Sequence, residues 1–229
     1  IRGGDNLHSV FWLYNRTGEK WLLSLAEKIY RRTASWTSRG HDLEDIESPK
    51  DKKEGFDWPV WYRDLINWHN VNIAQGFRTP AQYYLLNGDE KYLKATYENF
   101  KIVRDHFGQV PGGMFGSDEN TRPGYDDPRQ GIELCGIVEH MNSDEHLLRI
   151  TGDIFWADHV ENLAFNSYPA TVSPDFKAVR YITSPNMVIS DSKTHWPGIA
   201  NYGPFLNFNP FSSRCCQHNH TQGWPYFSE

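Results

Sequence analysis

Leu13-Tyr14-Asn15-Arg16-Thr17-Gly18-Glu19 returns in kind as Leu85-Leu86-Asn87-Gly88-Asp89-Glu90 and again as Leu148-Arg149-Ile150-Thr151-Gly152-Asp153. In each, an apolar-periodic stretch stops at a glycine, which can adopt the left-handed conformation that closes a helix. An acidic residue and a fresh amphipathic stretch follow, placing negative charge in the favourable first turn of the next helix. The glycines lie 70 and 64 residues apart, longer than the ~34–47 residues of helix-pair solenoids, and enough for two helical hairpins or one with long loops.

Working outward, the spacing predicts helices near residues 5–15, 19–36, 61–86, 89–106, 131–150 and 153–168. In the second, Trp21, Leu22, Leu25, Ile29 and Arg32 recur at the interval of a half-buried helix. Two stretches break the pattern. Ser38 to Asp57 is charged and aperiodic, and Pro111 to Gln130 is rich in glycine and proline, so both read as long loops, a kind that is commonly functional. Between 177 and 190 the period changes to two: Val179, Tyr181 and Thr183, then Met187 and Ile189 around Ser184-Pro185-Asn186, predict a short β-hairpin. Helical hairpins carrying long loops on one face point to a mainly α fold, an α/α toroid seen in part.

The 229 residues are enough to bury a real core. A net charge of -6 with dispersed basic residues argues against a nucleic-acid partner, which selects a concentrated basic face. No apolar run approaches the ~18 residues of a membrane span. Aromatics make up 15% of the chain, with nine Trp among them; most read as packing between helices, and some as flat faces that stack on sugar rings. Ile1 is no initiator and no leader follows it, so the chain reads as a piece of a longer protein.

All the sulfur of cysteine is in two places: Cys135, two residues after Glu133, and the adjacent pair Cys215-Cys216. Three thiols and a carboxylate form a donor set of the right softness for one zinc ion. The plain alternative is three buried thiols, the usual state of free cysteine. Residues i and i+2 leave a helix on opposite sides, so Glu133 and Cys135 can share an ion only in extended backbone or where a helix begins; Pro128 and Gly131 make such a beginning plausible. His218 and His220, an H-x-H beside the pair, are also metal-competent.

Four pieces in order carry a resemblance: Trp68-His69-Asn70-Val71-Asn72; Pro111-Gly112-Gly113-Met114-Phe115-Gly116-Ser117-Asp118-Glu119-Asn120 with Gln130-Gly131-Ile132-Glu133-Leu134-Cys135; Tyr181-Ile182-Thr183-Ser184-Pro185-Asn186; and Arg214-Cys215-Cys216-Gln217-His218-Asn219. Together, from about residue 58 onward, they resemble the β-L-arabinofuranosidases of glycoside hydrolase family 127. The resemblance implies an (α/α)6 barrel, here a single incomplete catalytic domain over residues 1–229 without the family's C-terminal β-sandwich domains. It implies one zinc ion on Glu133, Cys135, Cys215 and Cys216, with Cys215 the nucleophile of a retaining mechanism and Glu119 its general acid/base. His69 matches a histidine that contacts the sugar. The implied substrate is a β-L-arabinofuranoside or related plant-type glycan. A zinc-coordinated thiol is already deprotonated, and the negative charge of four anionic ligands would hold Glu119 protonated, as a general acid must be. The chain departs from the family pattern at Gln217-His218, where relatives often have proline, and at Ser212-Ser213-Arg214. Two other readings use the same residues: a hydrolase in which metal-bound water attacks, which four protein ligands would obstruct, and a non-catalytic chain with a structural zinc.

Overall fold

The computed structural model describes residues 2–38, 69–108, 110–118, 121, 131–185, 187, 189–191, 206–207 and 214–229. A 3-10 turn, Arg2–Asp5, leads into α1 (Asn6–Thr17) and α2 (Trp21–Arg32). Then come α3 (Asn70–Gly76), α4 (Arg78–Asn87) and α5 (Lys91–Phe107). A two-residue strand, β1 (Ile132–Glu133), runs straight into α6 (Leu134–Thr151), followed by α7 (Ile154–Asn162) and one π turn, Leu163–Ser167. Strands β2 (Val179–Arg180), β3 (Ile182–Thr183) and β4 (Leu206–Asn207) precede α8 (Arg214–His220) and α9 (Gly223–Ser228). The fold is mainly α, and among the described residues no helix is long and apolar enough to cross a membrane.

The repeated glycines do what their sequence context asks. Gly18, Gly88 and Gly152 sit at φ 71°, 69° and 68°, and each donates its N–H at 2.8 Å to the carbonyl four residues back, on Tyr14, Tyr84 and Leu148. Because each cap ends one helix sharply, α1/α2, α4/α5 and α6/α7 return as adjacent pairs. The third is secured further by Asp153, whose carboxylate caps α7 at Phe155 N and accepts from Tyr97 Oη of α5 at 2.8 Å.

Helix α6 is the axis of the assembly. Almost every position from Leu134 to Leu147 is buried, and α3, α4, α7, α8 and α9 all pack on it. A helix apolar on one side only would lie at the edge; this one also buries His140, Ser143, Asp144 and Glu145. Those polar groups need partners inside the core, and Ser143 has two, donating to Ala74 O at 2.5 Å and accepting from buried Arg78 at 2.9 Å. Arg78 also pairs with Asp5 and with Glu139 at 3.4 Å, tying the amino-terminal turn to α6.

Three expectations change. The helix expected over 61–86 is, from residue 70 on, two helices meeting at Phe77; Pro80 has no N–H to return to Gly76, so α4 begins afresh with proline in its first turn. Residues 61–68 and the loop at 39–57 lie outside the described residues. Strands do form within 177–190, but they are not a hairpin. Only Tyr181 separates β2 from β3, too little to reverse the chain. Instead β3 pairs antiparallel with β1 (Ile132 with Thr183, Glu133 with Ile182), and β2 pairs antiparallel with β4. Finally, the segment 131–150 starts as strand and becomes helix only at Leu134.

Candidate metal and catalytic site

Glu133 is the last extended residue before α6, at φ −77° and ψ 135°. Cys135 is the second residue of the helix. This is the arrangement the two-residue spacing requires, because a change of backbone form between them lets both side chains face one point. Strand pairing fixes the extended half: Glu133 N donates to Ser117 O at 3.0 Å, Ser117 N to Gly131 O at 2.9 Å, and Leu134 N to Tyr181 O at 3.0 Å.

The other half arrives from α8. Cys135 Sγ and Cys216 Sγ lie 3.1 Å apart, and Cys216 Sγ is 3.9 Å from Glu133 Oε1. The donor atoms of Glu133, Cys135, Cys215 and Cys216 all fall within 4.8 Å of one another. Cys135 and Cys216 have no exposed surface and Glu133 almost none, whereas Cys215 is exposed. Three soft sulfurs and one carboxylate, buried on one side and open at a single sulfur, fit a thiophilic divalent ion such as zinc.

The thiols divide the charge unequally. Hydrogen bonds from Cys135 and Cys216 hold the Cys215 thiol far below the ordinary cysteine value. Donation toward Cys215 and Cys216, together with burial and the Glu133 charge, pushes Cys135 up. Burial is the main cause that drives Cys216 up. The exposed sulfur is thus the one whose thiol is held low, while the two buried thiols are pushed up.

His69 precedes α3 and brings Nε2 to 3.2 Å from Glu133 Oε2. Its contact is thus with the carboxylate of the donor set. Glu119 lies outside the described residues; Asp118 and Ser117, just before it, are buried, and Ser117 O is held by both Glu133 N and Asn70 Nδ2 (2.8 Å). His218 and His220 stay out of the cluster: His218 is exposed and His220 stacks on Tyr168, centroids 5.2 Å apart. Sequence reasoning passed over Arg2, which reaches His69 Nδ1 at 3.3 Å and Asn72 Oδ1 at 2.7 Å. A lone arginine 67 residues from its histidine carries no local signal.

The profile of the β-L-arabinofuranosidase GH127 catalytic domain matches residues 2–229. This chain belongs to the GH127 family. Among solved structures, it is similar to a glycoside hydrolase at TM-score 0.63 and 18% identity, over 97% of this chain and 38% of that one. A GH127 β-arabinofuranosidase follows at TM-score 0.55 and 18% identity, over 96% and 32%. A D-mannose isomerase shares the helical fold at TM-score 0.55 and 10% identity, over 99% and 53%. At these identities the likeness is one of fold. No curated protein sequence matches the chain. The GH127 chain described here spans about a third of the length of the first two solved relatives.

Proposed function

We propose that this GH127 chain is the nucleophile- and metal-bearing part of a retaining glycosidase acting on β-L-arabinofuranosides or a related plant-type glycan. The observation that carries the reading is the asymmetry of the cluster: four donors converge, and of the three sulfurs Cys215 is exposed while Cys135 and Cys216 are buried. Glu133, Cys135, Cys215 and Cys216 would hold zinc, which supplies thiolates at neutral pH without a histidine base.

The steps then belong to the chain's own residues. Cys215 Sγ attacks the anomeric carbon of the non-reducing sugar, forming a carbon–sulfur bond as the bond to the glycosidic oxygen breaks. Glu119 delivers its proton to that departing oxygen. In the second half Glu119, now a carboxylate, takes a proton from water; the hydroxide equivalent displaces Cys215, and the sugar leaves with retained configuration. Retaining enzymes commonly place a second carboxylate about 5–5.5 Å from the acid; here sulfur takes its place. The role given to Glu119 follows from the resemblance of its loop; Ser117, two residues before it, is hydrogen-bonded to the backbone of Glu133. Residues 1–229 are read as one α/α-barrel catalytic domain, in keeping with the family match over residues 2–229.

The test is to incubate the chain with an aryl β-L-arabinofuranoside and look by mass spectrometry for a glycosyl adduct on the Cys215 peptide. Slow turnover by Glu119→Gln should make the adduct accumulate, and Cys215→Ser should form none while still folding. An adduct on another residue, or turnover by Cys215→Ser at the wild-type rate, refutes the assignment.

A further inference from the structure

Glu133 is braced from the far end of the chain. Arg2, in the 3-10 turn Arg2–Asp5, donates Nε to Asn72 Oδ1 at 2.7 Å and points Nη2 at His69 Nδ1, 3.3 Å away. A guanidinium carries only N–H groups, so it donates and cannot accept. Nδ1 of His69 is therefore the acceptor and bears no proton. The ring proton sits on Nε2, the nitrogen 3.2 Å from Glu133 Oε2.

We propose that Arg2 is a positioning residue for the metal centre, acting through His69 to orient the Glu133 carboxylate. By fixing the tautomer, Arg2 sets the protonated nitrogen of His69 beside Oε2, as a close electrostatic contact rather than an aligned hydrogen bond, and leaves Oε1, on the side of Cys216, to face the ion. The opposite tautomer would set a lone pair against a carboxylate oxygen and push Glu133 away. Partners one step removed from a metal commonly change its affinity by about 10–100-fold. Arg2 is itself held by folded structure: Gly4 N donates to Thr33 Oγ1 at 2.9 Å, and Asp5 pairs with Arg78. Asn72, in α3, fixes the second edge of the guanidinium, so its direction is set by two bonds.

This inference rests on the metal reading above, and the experiment separates the two. Zinc affinity is measured by competition with a chromophoric chelator under reducing conditions for wild type, Arg2→Met, Arg2→Lys, His69→Ala and the Arg2→Met/His69→Ala double variant. Alongside, nitrogen NMR reads the tautomer of His69. Wild type should bind one zinc per chain with His69 protonated on Nε2. His69→Ala should bind zinc about 10–100-fold more weakly, Arg2→Met should lose part of that affinity, and Arg2→Lys should not restore it, since an ammonium lacks the fork that spans Asn72 and His69. In the His69→Ala background, Arg2→Met should make no further difference. A wild-type affinity in Arg2→Met, an undiminished effect without His69, or a proton on Nδ1 overturns the positioning role alone. A wild type that binds no zinc overturns the metal centre and this role with it.

Discussion

Asn70 and Gly136 share one space: the Asn70 Oδ1 atom lies 1.1 Å from where a β-carbon on residue 136 would project. Gly136 follows Cys135 in α6, and Asn70 opens α3. The slot that glycine leaves lets Asn70 reach Ser117 O and so clamp the strand pairing behind Glu133. Gly136→Ala should cost about 1–3 kcal/mol by overpacking and loosen zinc binding. In an Asn70→Ala background the same change should cost much less, because the clash is gone. Urea titration of the four proteins checks this, and equal costs in both backgrounds would refute the shared slot.

The 3.1 Å contact between Cys135 and Cys216 predicts a second behaviour. Metal-free chain treated with oxidised glutathione should form the Cys135–Cys216 disulfide by exchange, releasing two reduced glutathione molecules per chain. That disulfide should remove two titratable thiols, with zinc protecting both. Cys135→Ser should form no disulfide within the chain, since neighbouring cysteines bridge only with strain. Peptide mapping that finds Cys135 paired elsewhere would count against the geometry.

Asp144, wholly buried on α6, receives His159 Nδ1 of α7 at 2.7 Å, while His159 Nε2 donates to Gly113 O at 2.9 Å. Burial alone would lower the His159 pKa, but the Asp144 charge and the two hydrogen bonds outweigh it and raise it. For Asp144 burial raises and the two histidines lower, and the net direction is down. The His159 contribution is full below about pH 6.5, the unfolded histidine value, and is lost as pH rises through the raised folded value. Asp144→Asn should cost about 3–5 kcal/mol by stranding a buried partner and should flatten the stability loss above neutrality. Chemical denaturation from pH 5 to 9 tests both; an alkaline slope like wild type's in the variant would show that the pair does not cause it.

The acid limb has a different origin. His146 is pushed down to about 3, chiefly by burial and then by the Arg78 charge, and its neighbour His8 is lowered too. A depressed histidine costs nothing above its unfolded value; as pH falls from about 6.5 toward that folded value near 3, the unfolded chain gains a proton the folded one refuses. Stability should therefore fall over that window, and His146→Gln should lessen the fall. Matching acid limbs in the two proteins would put the cause elsewhere.

What the sequence made legible was local. Gly18, Gly88 and Gly152 needed only their own φ angles to end three helices, so the pairing of helices followed. The extended-then-helical form at Glu133 and Cys135 was also local, since i, i+2 geometry leaves few alternatives. Strand partners were not: β3 meets β1 some fifty residues earlier, and nothing in Ile182-Thr183 names Ile132-Glu133. Arg2 and Asn70 escaped for the same reason: packing of the amino-terminal turn on α3 brings Arg2 to His69, and packing of α3 on α6 lays Asn70 in the Gly136 slot. His159 and Asp144 read as ordinary positions on two amphipathic helices until the helices were placed side by side.

Cys135 and Cys216 stand 81 residues apart in sequence. An ion gripping both would close that length of chain into a ring, restricting the unfolded ensemble as a covalent cross-link does. For loops near this size such a restriction is worth about 4–5 kcal/mol. The grip reaches from the start of α6 to the start of α8, so everything between, α7 and the strands β2 to β4 included, would unfold within a tethered circuit. The proposed ion would then also set how far this part of the chain can come apart.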